Sequence, residues 1–257
     1  SAALGRHVGL NYAKFPSVLF LDGDMELQTG FISDAREALL DSEEAAGVIG
    51  IRDDLVYDGD QVVRSVYNVY RIREAGVVNH FGGALYAKKE PLMDVGSYDA
   101  RMLSWEEPEL HSRLLNAGYV VLGLATPMII HHDDRSKTTS STWIQRIFNH
   151  RWLGLGRGFR LSFLNGNTWN YIKRLREFLF PIATDLLSLI CLLFFINYKP
   201  SLLIAGGLQF AGVMFSIAHN KPKRFLQSKV LLPYFLVGWL APLPEVEYTV
   251  EFAGEYV

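Results

Sequence analysis

Cysteine is all but missing from this chain. Cys191 stands alone among 257 residues, which excludes a disulfide framework and a cysteine-ligated zinc site. Glycine recurs without a period, so a fibrous repeat is excluded as well. Charge is thin, at 20% of residues against 49% hydrophobic, too apolar a balance for a disordered segment. Positive charge is scarce in the front half, where residues 1–142 hold 13 Lys and Arg against 21 Asp and Glu, a net −8. A nucleic-acid groove needs a basic face, so no nucleic-acid partner is expected. Acids are scarce in the rear half: residues 143–257 hold 12 basic and 6 acidic residues, a net +6.

That basic rear half is also the most apolar, which points to a membrane. Phe178–Ile196 is a run of 19 residues whose only charge is Asp185, and Ser201–Ala218 is a run of 18 with none. Each is long enough for a helix to cross the hydrocarbon. Spans are expected over about 178–197 and 201–218, joined by a short turn. A third run, 230–244, holds Pro233, Pro242 and Pro244 and reads as a kinked span or an interfacial segment. Lys173, Arg174 and Arg176 precede the first span, and Lys221, Lys223, Arg224 and Lys229 follow the second. By the positive-inside rule these loops and the front domain face the cytoplasm, giving a multi-pass integral membrane protein. Residues 143–177 mix seven basic residues and one acid with Trp143, Trp152 and Trp169, a composition of helices resting on lipid headgroups.

In the front half, Ser17-Val18-Leu19-Phe20-Leu21 is a continuous apolar run that fits an α/β strand buried on both faces. It ends in Asp22-Gly23-Asp24. Carboxylates just past such a strand lie where open α/β sheets bind ligands, and oxygen donors favour Mg2+ or Mn2+. A plain turn is the alternative, and Asp58-Gly59-Asp60, in a polar alternating context, reads as one. Further on, Phe81-Gly82-Gly83-Ala84-Leu85-Tyr86-Ala87 pairs two glycines with a strand-like run, permitting close backbone approach to a ligand. Trp105-Glu106-Glu107-Pro108-Glu109 then opens a helix, with Pro108 in its first turn. Glu109 and Arg113 are spaced to pair along it. Glu106 and Glu107 lie at its start, where a carboxylate can accept a proton from a hydroxyl. His131 follows Met128-Ile129-Ile130, either as a third metal ligand or as a loop histidine.

Together these stretches resemble the family 2 glycosyltransferases of the GT-A fold. The likeness starts at Gly5-Arg6-His7-Val8-Gly9 and passes through Val18–Asp24, similar to that family's "hydrophobic-L-D-x-D". It ends in Gly82–Tyr119, which holds the glycine pair, Val95-Gly96-Ser97-Tyr98-Asp99 and the Glu107-to-Arg113 helix. The resemblance implies an α/β fold, a partial GT-A-type sheet with flanking helices, followed by an all-α C-terminal membrane region. It also implies an inverting transfer from a nucleotide-sugar donor to a lipid-linked or glycan acceptor, assisted by Mn2+ or Mg2+. Asp22 and Asp24 would hold the metal, with His131 as third ligand. Asp22, Gly82, Gly83 and Arg113 would face substrate. Glu107, standing where the family has aspartate, would be the base, with Glu106 beside it.

The expected organisation is a catalytic head over 1–142, interfacial helices over 143–177 and a transmembrane region over 178–257. The family places a nucleotide-binding part of the sheet ahead of the aspartate motif, which here arrives at residue 22. The resemblance therefore implies an N-terminally truncated head, inactive on its own. Two rival readings remain. In a haloacid-dehalogenase-type phosphohydrolase, Asp22 would be the nucleophile and Asp24 the general acid. A non-catalytic membrane scaffold would have no metal affinity at either.

Overall fold

The computed structural model describes residues 1–134, 151–195, 198 and 200–248. Helix α1 (Ala2–Tyr12) is capped by the Ser1 hydroxyl, which accepts from the Leu4 N–H, and buries Ala3 and Leu10. It leads into strand β1 (Ser17–Phe20), and a tight turn at Asp22-Gly23-Asp24 feeds β2 (Met25–Leu27). Helix α2 (Phe31–Leu40) follows, then the long β3 (Ala45–Asp58), β4 (Gln61–Val66), β5 (Gly76–Val78) and β6 (Leu85–Lys88). Helices α3 (Lys89–Asp94) and α4 (Glu106–Asn116) precede β7 (Val120–Asp134).

Seven strands form one mixed sheet in the order β1-β6-β3-β7-β2, with β4 paired to β3 and β5 to β7. Among the described residues only β3 and β7 run parallel, from Ala45 opposite Val120 to Tyr57 opposite Asp134. The core lies under the first half of β3, where Ala45–Gly50 are buried, and is completed by Leu10, Phe31, Leu85, Leu92, Leu110 and Met128. Each large side chain there contributes about 1.5–3 kcal/mol by leaving water. The second halves of β3 and β7 are only partly buried and continue past this core as a polar ribbon.

The α/β class read from the sequence is observed, with two differences of detail. β1 was expected to be buried on both faces; it is an edge strand, antiparallel to β6, and Phe20 is its only buried residue. His131-His132-Asp133-Asp134 was open to a loop reading, yet β7 runs through it, because its backbone pairs with Asp54–Tyr57 of β3. The turn at Asp58-Gly59-Asp60 is found as read: Asp58 faces Gln61 across it, with Gly59 at φ +60°.

The described residues beyond 150 are helical: α5 (Leu153–Leu164), α6 (Thr168–Phe195), α7 (Pro200–Ala218) and α8 (Lys223–Leu240). α5 and α8 approach closely at Gly156 and Gly238. A Cβ on Gly156 would meet the Phe235 carbonyl, and one on Gly238 the Leu153 carbonyl. Trp152, Leu155, Tyr171, Leu175, Leu231 and Phe235 form a second core beneath the head. The head rests on it through α4, and Arg157 donates to the Arg101 carbonyl at 2.6 Å.

Two helices, Thr168–Phe194 and Pro200–Ala218, are long and apolar enough to cross a membrane. Only 33% and 22% of their most apolar windows are buried, far less than in a core helix. The third apolar run begins within α8, which continues through Pro233, and passes beyond the end of that helix at Leu240. The head boundary at 142, the interfacial residues 143–150 and most of the turn between the two spans lie outside the described residues.

Candidate active site

The first group of side chains is gathered by Arg6 on α1. Its Nη2 donates to Asp22 Oδ1 at 2.7 Å, and its Nη1 to Glu107 Oε1 at 2.9 Å and Glu106 Oε1 at 3.1 Å. Asp22 leaves β1 and the two glutamates open α4, so one guanidinium joins three carboxylates from two distant segments. Tyr98, fully buried, lies beneath Arg6 with its ring centroid 5.4 Å from the guanidinium carbon. Gly83 backs the Asp22 carboxylate so closely that any Cβ there would collide with it. That close approach requires glycine.

Burial works against the charge of Arg6, but Glu107, Tyr98 and Asp22 outweigh it and hold the guanidinium above its usual range. The Glu107 carboxyl is pushed up, first by burial and then by Glu106, while Arg6 pulls it back. Beside Glu107 opens a cavity of about 330 Å³ lined by Phe81, Ser104, Trp105, Pro108 and Trp152.

The second group sits on the polar ribbon. Asp24 is more than half exposed, and its Oδ2 lies 3.5 Å from His131 Nε2. The other ring nitrogen, Nδ1, is 3.2 Å from Asp54 Oδ1 and 2.9 Å from Arg52 Nη2. Arg52 Nε donates to Asp54 Oδ1 at 2.6 Å. The Arg52 guanidinium also lies 5.8 Å from the Tyr70 ring centroid, and the Tyr70 hydroxyl sits against Gly82. The two groups meet at Asp22-Gly23-Asp24 and at Gly82-Gly83, so contacts run unbroken from Glu107 to His131.

Asp22, Asp24, Glu106, Glu107, Gly82, Gly83 and His131 thus all belong to one contiguous set. Arg113 does not. It spends its guanidinium on Glu109, at 2.7 and 2.5 Å, and on the carbonyls of Val95 and Ser97, at 2.5 and 2.7 Å. In this arrangement Arg113 braces the 95–97 loop against α4. The i,i+4 pairing with Glu109 is found as read.

Arg6 falls in a sequence motif that assigns it no site role. Arg52, Asp54, Tyr70 and Tyr98 carry no local sequence signal that marks them for the site. The β3–β7 pairing that brings Arg52 and Asp54 to His131 spans 77–79 positions, and no local pattern reports it.

The donors fit a divalent cation in kind: two carboxylates and an imidazole favour Mn2+ over the strictly oxygen-loving Mg2+. Among the described residues no three such groups yet converge, since Asp22 is turned toward Arg6.

No family model matches the chain, and no curated protein matches it in sequence. Among solved structures, its backbone is similar to GalNAc-T7 crystallised with UDP, GalNAc and Mn2+, at 14% identity and a TM-score of 0.45. That alignment covers 94% of this chain and 45% of the other, so the chain spans less than half the length of that protein. A likeness at this level does not establish a shared activity.

Proposed function

We propose that this chain is the head and membrane anchor of a glycosyltransferase that moves a sugar from a nucleotide-sugar donor to a lipid-linked or glycan acceptor, with inversion. The observation that carries the reading is Arg6, whose one guanidinium binds both the aspartate that closes β1 and the glutamate that opens α4. A metal-side carboxylate and a base-side carboxylate are thereby held within one side chain of each other, as in-line displacement at a sugar carbon requires.

Asp24 and His131 would hold the cation, with Asp22 as the third ligand. When bound, it would neutralise the diphosphate that leaves with the nucleotide. The Arg52 guanidinium, 2.9 Å from Nδ1, can only donate, so the observed contacts fit the tautomer with Nε2 protonated toward Asp24. Metal binding through Nε2 would need Arg52 to leave Nδ1, so that Nδ1–H donates to Asp54 instead.

Glu107 would take the proton of the acceptor hydroxyl. Burial and Glu106 raise its pKa, which strengthens it as a base, and Arg6 opposes that rise by pairing with its ionised form. The apolar helices Thr168–Phe194 and Pro200–Ala218 would cross the membrane, and the surplus of Lys and Arg around them would keep the head on the cytoplasmic face.

The test is sugar transfer by the full-length protein in detergent micelles, screened over nucleotide-sugar donors. Glu107→Gln is expected to lower kcat by at least roughly a hundredfold with little change in donor KM, the mark of a lost general base. Transfer at an undiminished rate by Glu107→Gln would remove the role assigned to that residue.

A further inference from the structure

Where the head meets α6 there is a polar cavity of about 590 Å³, separate from the Asp22–Glu107 cluster. Asn79, His111, Asn170, Lys173, Arg174 and Arg176 line it, with Glu177 as its single acid and Leu115 at the wall. His111 projects from α4 and is 1% exposed, and neither of its ring nitrogens has a hydrogen-bond partner among the described residues. The Nε of Arg174 is likewise without one. Buried polar atoms left unpaired are destabilising, so such a cluster calls for a ligand that accepts hydrogen bonds. Three cations against one acid fix its sign as an anion. Burial, helped by Arg174 and His80, pushes His111 down to about 4, so the imidazole is neutral and meets the ligand as a donor without adding charge.

A second cavity, of about 390 Å³, lies along the same helix and is almost purely apolar. Phe159, Leu179, Leu186, Phe215, Phe235 and Trp239 are among its lining, and its one charged residue is Arg176. Arg176 therefore borders both spaces. Arg176 and Leu186 are ten residues apart, about 15 Å along a helix axis. Leu175, at φ −113° and ψ 18°, breaks the helix beside this junction. Nearby, Lys173 lies over the exposed ring of Trp169 at 5.3 Å, a pairing suited to the headgroup level of a bilayer. A free phosphate would use only the first space and a neutral hydrocarbon only the second. A molecule that fills both has an anionic head and an apolar chain.

We propose that this junction binds a phosphate-bearing lipid, its headgroup held by His111, Arg174 and Arg176 and one hydrocarbon chain lying in the cleft along α6. The site shares no residue with the Asp22–Glu107 cluster and does not rest on the transferase reading.

The experiment is calorimetric titration of the full-length protein in maltoside micelles with dodecyl phosphate, dodecanol and inorganic phosphate. Dodecyl phosphate is expected to bind at least roughly tenfold more tightly than either of the others, since only it makes both sets of contacts. Arg174→Gln and Arg176→Gln are each expected to weaken it roughly tenfold. Leu186→Trp, which fills the cleft, should weaken dodecyl phosphate and leave inorganic phosphate unchanged. Arg176 is exposed, so its variant keeps the test valid if the substitution at the half-buried Arg174 unfolds the protein. Equal binding of dodecanol and dodecyl phosphate, indifference to both arginine substitutions, or binding of inorganic phosphate alone would each overturn the proposal. Metal-dependent nucleotide binding measured on the same samples separates the two readings. Lipid phosphate binding without it keeps this site and removes the transferase; the reverse pattern does the opposite.

Discussion

Arg6 is the residue on which the head depends most. It is largely buried, and Asp22, Glu106 and Glu107 each rely on it for a counter-charge. Its removal leaves three clustered carboxylates without a cation, which for buried pairs costs about 3–5 kcal/mol. Asp22 is 41% exposed, which moderates its share. Arg6→Ala is therefore expected to lose about 3 kcal/mol in chemical denaturation. Arg6→Lys should recover only part of this, because an ammonium lacks the planar fork that reaches both sides. At Glu107 the consequence is a pH effect. Burial raises its carboxyl above the ordinary 4.5, and a base acts only when ionised. The acid limb of kcat should accordingly fall at a pH above 4.5, and Arg6→Lys should move it further up. A limb at or below the ordinary glutamate value would contradict that assignment.

At the scale of elements, the helical region is joined by a polar knot. Asp185 of α6, 6% exposed, accepts from Ser228 of α8 at 2.5 Å and Gln209 of α7 at 3.1 Å, and pairs with Lys229 of α8. The knot ties all three helices. Lys229→Met leaves the acid uncompensated and is expected to cost about 1–3 kcal/mol in thermal unfolding in micelles, more than Lys229→Met combined with Asp185→Leu. Equal losses in the single and double variants would dissolve the pairing. Gly238→Val tests the α5–α8 contact in the same assay, with an expected loss of about 1–3 kcal/mol from overpacking.

Much at this scale was legible in the sequence. The apolar run 201–218 matches α7, the run 178–197 falls in the later part of α6, which starts ten residues earlier at Thr168, and Pro108 with its flanking acids marks the start of α4. Each of those signals is local. The edge position of β1 was not legible, since an apolar run looks the same whether one neighbour pairs with it or two. Nor was the continuation of β7 through His131, which exists because β3 pairs with it from far away in sequence.

On the scale of the whole molecule, an acidic head stands on a basic, apolar helical region. Asp22-Gly23-Asp24 was visible because a carboxylate pair after an apolar run is unusual. Asp58-Gly59-Asp60 has the same letters and forms a plain hairpin, whereas Asp22-Gly23-Asp24 turns between two strands that do not pair with each other. The reach of Arg6 across to α4 could not be read, since its partners lie 16, 100 and 101 residues away. Full-length protein should remain in the pellet when membranes are washed with alkaline carbonate, as two spanning helices require; release into the supernatant would reduce α6 and α7 to surface helices.

The most direct measurement is calorimetry of nucleoside diphosphate binding to the full-length protein with and without manganese, for the unaltered chain and for Asp24→Asn. The account expects binding that needs the metal and weakens at least roughly tenfold in Asp24→Asn, as the loss of a charged ligand implies. Nucleotide binding indifferent to manganese, or unchanged in Asp24→Asn, would contradict it.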